Sequence, residues 1–162
     1  MKKGFTLLEL IFVIVIIGVL AVMALPKFKN LTGSSKISSE IATASTVQSA
    51  IDDVHSDWIV NDQNDFTWGN GMTQDDLNDN GYPKALGDCA NGKPFSYILK
   101  NAALVNGKWT CEASGEDYIY RGPASQEESG VGENDDTKPD SNDCWVYSPD
   151  DGSFRFVEDC NL

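Results

Sequence analysis

The sequence has a single histidine, His55, and no Cys-x-x-Cys pair, so a zinc site of the usual Cys/His type lacks ligands. It also lacks a phosphate-cradling glycine loop, a Ser/His/Asp order in a strand–turn setting and a nucleophile motif around a cysteine. Positive charge is scarce: 12 Lys and Arg stand against 25 Asp and Glu, a net charge of −13 over 162 residues. That balance excludes phosphate-backbone recognition over most of the surface, so no nucleic-acid partner is expected. Carboxylate pairs are abundant, but among 25 acids a pair says little about acid–base chemistry. No enzyme and no resident cofactor is expected. No internal repeat is visible, and Gly122–Asp143 comes nearest to a flexible loop.

Charge is also missing from one particular place. Leu10 to Leu25 contains no charged or strongly polar residue. From Phe5 to Leu25 the chain would span roughly 30 Å as helix, the thickness of a bilayer core. Lys2 and Lys3 precede this run and favour a cytoplasmic N-terminus, with the body of the chain outside. An ordinary secretory signal would need a shorter apolar region and a small-residue cleavage site; Ala21-Val22-Met23-Ala24 imitates one only weakly.

Glu9 is the exception inside this apolar setting. A carboxylate there costs a few kcal/mol on insertion scales, so it marks a function. Cleavage between Gly4 and Phe5 would create an α-amine close to the depth of Glu9. A neighbouring copy's amine would neutralise the carboxylate at one axial offset, setting register more than adding stability.

Gly4-Phe5-Thr6-Leu7-Leu8-Glu9-Leu10, with Lys2-Lys3 before and the apolar run after, resembles the class III signal of type IV pilins and type II secretion pseudopilins. Gly18 and Pro26 fall where that family often has a glycine and a helix-kinking proline. The resemblance covers roughly the first 30 residues. It implies cleavage after Gly4 by a prepilin peptidase, N-methylation of Phe5 by the same type of enzyme, and Glu9 with Thr6 as assembly residues. It further implies extraction from the inner membrane by an assembly platform into a helical filament of identical copies, periplasmic or extracellular. The four-residue leader resembles the type IVa and pseudopilin branch.

Beyond Pro26, an amphipathic stripe runs through Ile37, Ile41, Ala44, Val47, Ile51, Val54 and Trp58, at spacings of three and four. One long helix from about Phe5 to Val60 is expected, with a soft spot at Gly33-Ser34-Ser35. His55 is expected as a plain helix-surface residue. The organisation is then a leader over 1–4, a transmembrane or filament-core helix over 5–25, its amphipathic continuation over 26–60, and a head over 61–162. Segments with strand character follow at Phe95–Leu99, Trp109–Cys111, Tyr118–Tyr120, Cys144–Tyr147 and Phe154–Val157, with a turn at Pro149-Asp150-Asp151-Gly152. The expected fold is α+β, a long helix packed on an antiparallel sheet, which also resembles pilin heads.

Cys89, Cys111, Cys144 and Cys160 all lie after the apolar run, where export would oxidise them. Three connectivities are open. A Cys144–Cys160 bridge centres on Gly152, in keeping with a hairpin there, and would leave Cys89 for Cys111. Two acidic loops are calcium candidates. Asp76, Asn78 and Asn80, followed by Gly81, match the opening of a calcium loop, but Gly87 stands where its bidentate Glu belongs. The second, Glu133-Asn134-Asp135-Asp136 to Asp140 and Asp143, has oxygen donors without fixed spacing; some pseudopilins hold calcium in a C-terminal acidic loop. The expected function is a pilus-like filament subunit. The alternatives are a type II secretion pseudopilin and, from another class, a membrane-anchored binding module that never polymerises.

Overall fold

The computed structural model describes residues 6–61, 66–132 and 137–160, with the side chains of 25–30 outside the description. Helix α1 runs over Leu7–Val60 and remains helical through Gly18, Pro26 and Gly33. The chain divides into two compact units, Met1–Ser35 and Lys36–Leu162.

In the first unit the described part of α1 presents apolar side chains on every face. Leu7–Ala24 is one run long and apolar enough to cross a membrane, and none of it is buried within the chain.

In the second unit α1 becomes one-sided. Ala44, Val47, Ile51, Val54 and Trp58 are buried, spaced 3, 4, 3 and 4, as a single helix face requires. The polar faces carry Ser and Thr, which are poor helix formers. Several donate to the carbonyl four residues back, as in Thr43 Oγ1 to Ser39 O (2.8 Å) and Ser49 Oγ to Ser45 O (3.0 Å). Asn61 closes the helix, donating both its amide and its side-chain Nδ2 to Asp57 O.

The sheet is an antiparallel meander of β3 (Thr110–Ser114), β4 (Asp117–Arg121), β5 (Cys144–Ser148) and β6 (Ser153–Val157), in that order. A two-stranded ribbon, β1 (Thr67–Trp68) and β2 (Met72–Thr73), precedes it. The β5–β6 hairpin pairs Ser148 with Ser153 and turns through Pro149–Gly152. Gly152 has φ +69° and an ideal Cβ there would stand 2.2 Å from the Tyr82 ring, so only glycine fits. The helix face and the sheet enclose an aromatic core. Phe95 stacks on Tyr120 at 5.1 Å, Trp109 meets Phe95 edge-on at 5.2 Å, and Phe154 lies over Trp145 at 5.5 Å. Disulfides join Cys89 to Cys111 and Cys144 to Cys160.

Two expectations from the sequence are corrected. Phe95–Leu99 is not a strand but a set of turns, with Leu99 N bonded to Phe95 O at 3.0 Å. Its buried residues are Phe95 and Ile98, three apart, while Tyr97 is exposed; the helical-turn spacing overrides the apparent strand composition. The stripe on α1 also turns at its upper end. Ile41 is 43% exposed, and Glu40, fully buried, occupies the interior position one turn before Ala44.

Candidate functional site

At the start of α1, Thr6 and Glu9 form a reciprocal cap. The Glu9 carboxylate accepts from the Thr6 amide and hydroxyl, both at 2.9 Å, while the Glu9 amide donates to Thr6 Oγ1 at 3.3 Å. A Thr three residues before a Glu is the sequence pattern for this arrangement, which satisfies otherwise orphaned amides of the first turn. The carboxylate is exposed and sits at the mouth of the apolar run. Gly4 and Phe5, the candidate cleavage and methylation residues, lie outside the described residues, as do Lys2 and Lys3. Gly18 has no atom within 4 Å of where its Cβ would stand, so it faces open space in the single chain.

The second unit holds its part of α1 with polar clasps that a stripe of apolar residues does not reveal. Glu40 is the central one. Its Oε2 accepts from the amides of Ala124 (2.7 Å) and Ser125 (3.1 Å). Its Oε1 accepts from Ser125 Oγ (2.7 Å) and Trp145 Nε1 (2.9 Å). Four donors compensate a carboxylate that burial would otherwise make very costly. Gly122 is part of the same device: an ideal Cβ there would stand 2.4 Å from the Glu40 carboxyl carbon. Lys36 Nζ donates to Ser129 O at 2.6 Å, tying the same loop one turn earlier. Gln48 reaches the hairpin, accepting from Phe154 N at 2.8 Å and donating to Gly152 O at 3.3 Å. His55 is not a plain surface residue; it is half-buried and stacks on Tyr82, ring centroids 4.2 Å apart.

The signal for Glu40 was its phase. Positions 40, 44, 47, 51, 54 and 58 fall on one buried face, a phase that the charge of Glu40 masks in a stripe of apolar residues.

The calcium candidates have other tasks. Asp76 Oδ2 accepts from Thr73 N (2.8 Å) and Thr73 Oγ1 (3.1 Å). Asn78 Oδ1 accepts from the amides of Asn80 and Tyr82, closing its own loop. Asn78 and Asn80 then donate their Nδ2 groups to the carbonyls of Pro149 and Asp150. At Gly87 a Cβ would stand 2.2 Å from Lys93 O, so a ligating Glu has no room there. The spaced Asp and Asn residues thus dock the loop on the β5–β6 turn and do not fit a calcium cage. In the second loop, 133–136 lie outside the described residues. Asp143 accepts from the amides of Asp140 (3.0 Å) and Asp159 (3.1 Å), and its burial pushes its carboxyl above the usual range. Among the described residues no three His, Cys, Asp or Glu side chains converge on a metal position.

Comparison with known proteins places these observations. The prokaryotic N-terminal methylation motif matches residues 1–25. The chain is 29% identical over 142 residues to the type IV major fimbrial protein FimA of Dichelobacter nodosus, covering 72% of this chain and 91% of that protein. It is 39% identical over 61 residues to a fimbrial protein of Neisseria meningitidis serogroup B, covering 36% of each chain. It is 52% identical over 48 residues to the type IV narrow pilus major component PilA5 of Thermus thermophilus, covering 30% of this chain and 41% of that one. The match thus spans about a third of the length of the Neisseria relative. No solved structure matches significantly. The N-terminal motif, the apolar helix it opens and the similarity over 72% of this chain to a fimbrial protein make the chain similar to the type IV pilins.

Proposed function

We propose that the chain is a structural subunit of a type IV pilus-like filament, assembled from the membrane through its N-terminal helix. The observation that carries this is the 18-residue run Leu7–Ala24, apolar on all faces but for Glu9 and unburied within its own chain. Such a surface is stable only in lipid or against other apolar helices. Insertion before assembly and helix-to-helix packing afterwards meet that demand in turn. Glu9 favours leaving lipid for a filament, because only there does it gain a cationic partner. That partner is the α-amine of Phe5 on a neighbouring copy, released by prepilin peptidase cleavage after Gly4 and then methylated. Gly18 and Pro26 are proposed as points where the helix bends during packing, the proline because it lacks an amide donor.

The relatives are named as major fimbrial and major pilin proteins, which favours the principal subunit of a pilus over a secretion pseudopilin. The role is structural, with an inner-membrane assembly platform as the transient partner and a cytoplasmic N-terminus before assembly. Intact-mass and N-terminal peptide analysis of material sheared from cells tests this reading. The expected result is a chain beginning at methylated Phe5 with two disulfides. A retained Met1, or cleavage near Ala24, would overturn it.

A further inference from the structure

Within the head the acids leave one long gap. None of the 25 falls between Ala90 and Thr110, a stretch that contains Lys93, Lys100 and Lys108. On α1, residues 36–51 include only one acid, Glu40, and that carboxylate is turned inward and buried. These two stretches meet. Ser39, Ala42, Thr43 and Thr46 form one wall of an open groove of about 430 Å³, and Leu99 to Val105 form the other. The threonine hydroxyls of the helix wall are already donated to the helix's own carbonyls, at 2.8 and 2.9 Å. On the opposite wall Leu104 is 72% exposed. The result is a largely apolar groove with Lys100 on its lining and Lys93 and Lys108 in the adjoining chain. Among the described residues none of the three lysines makes an ion pair.

We propose that this lysine-bearing groove is a docking surface for the acidic head of a second copy of the chain. The proposal rests on the filament reading above and specifies where heads meet. The argument is charge complementarity. The full sequence carries a net charge of −13 and loses Lys2 and Lys3 with the leader, so copies repel when concentrated side by side, and the repulsion is relieved where an acid-free, cationic face of one meets an acid-rich face of the next. Exposed acids are plentiful on the rest of the head, as at Asp150 and Asp151 in the β5–β6 turn. Leu104 supplies the apolar anchor such a contact needs at its centre, and the lysines supply orientation.

The test places a photo-crosslinking amino acid at Leu104 of the full chain and irradiates cells and sheared filaments. The expected product is a chain-to-chain adduct whose second peptide comes from an acid-bearing part of the head. In parallel, K100E/K108E should reduce sheared filament at least tenfold. Its membrane level and its non-reducing gel mobility should remain those of the parent. Filaments that form without a Leu104 adduct, adducts only to a different protein, or normal assembly by K100E/K108E would each overturn the docking surface while leaving the filament reading standing. If the unsubstituted chain forms no filament, the filament reading itself fails, and absence of dimeric adducts in the membrane removes the docking surface with it.

Discussion

Within one helix, the residues of Leu7–Ala24 and those of 40–58 meet opposite demands. Apart from Glu9, the first run is apolar on every face, and it finds no cover in its own chain. The second is apolar on one face, and that face is covered by the aromatic core of its own head. Each also carries a glutamate in an unusual position. Glu9 is exposed and, among the described residues, is bonded to Thr6 one turn away, whereas Glu40 is fully buried and bonded to residues more than 80 positions later. A carboxylate satisfied locally remains available to another molecule. One satisfied by four distant donors is committed to its own fold.

The sharpest way to break this contrast is to remove one glutamate at a time. Glu9→Ala should abolish filament recovery from cells while leaving the head's melting temperature unchanged, as measured on detergent-solubilised full chain; assembly at the parent level would refute its role. Glu40→Ala should do the reverse at the level of the fold. It strands the Ala124 and Ser125 amides and the Trp145 indole, costing about 3 kcal/mol in denaturant unfolding. A change below about 1 kcal/mol would mean that water replaces the carboxylate.

The disulfide Cys144–Cys160 closes a loop with a sequence separation of 16. Cys144→Ser with Cys160→Ser should cost about 3 kcal/mol of head stability by the loop-entropy argument. The same unfolding curves measure it, and an unshifted midpoint would contradict it. Along the helix, Ile51→Ala should cost about 3 kcal/mol because its side chain is wholly enclosed. Ile41→Ala, on the exposed side, should cost no more than about 0.5 kcal/mol. Equal effects would place the stripe on the wrong face.

The smallest effect is a pH dependence confined to the head. Burial raises the phenols of Tyr120 and Tyr147 above the ordinary tyrosine range. A raised folded value favours the neutral form, so this contribution is complete below the unfolded value of about 10. It should decline as pH rises beyond that point, while remaining flat through neutrality. Ultraviolet titration should show these two tyrosines ionising only as the head unfolds.

Much of the fold was legible because it depends on local periodicity. The helix, the apolar run and the strands at Tyr118–Tyr120, Cys144–Tyr147 and Phe154–Val157 all follow from side-chain spacing and turn residues. Glu9 stood out as a carboxylate in an apolar run, whereas its bonds to Thr6 were seen only in the structure. Phe95–Leu99 misled because an apolar run of five fits a strand or a turn equally well until its burial is known. Glu40 escaped because charge outweighed phase, and the donors that make its burial tolerable lie in a loop over 80 residues away.

By itself, then, the sequence determined the apolar N-terminal run with its lone carboxylate, the one-sided continuation of the helix and the hairpin centred on Gly152. These depend on hydropathy, spacing and backbone freedom, which are properties of neighbours in the chain. Tertiary structure alone decided that Glu40 points inward and that Asp76, Asn78 and Asn80 secure a loop on a distant turn. It also decided that Lys100 borders a groove with Leu104. In each of these the deciding partner is remote in sequence, and a polar side chain's role is set by which donors and acceptors the fold brings within 3 Å or so of it.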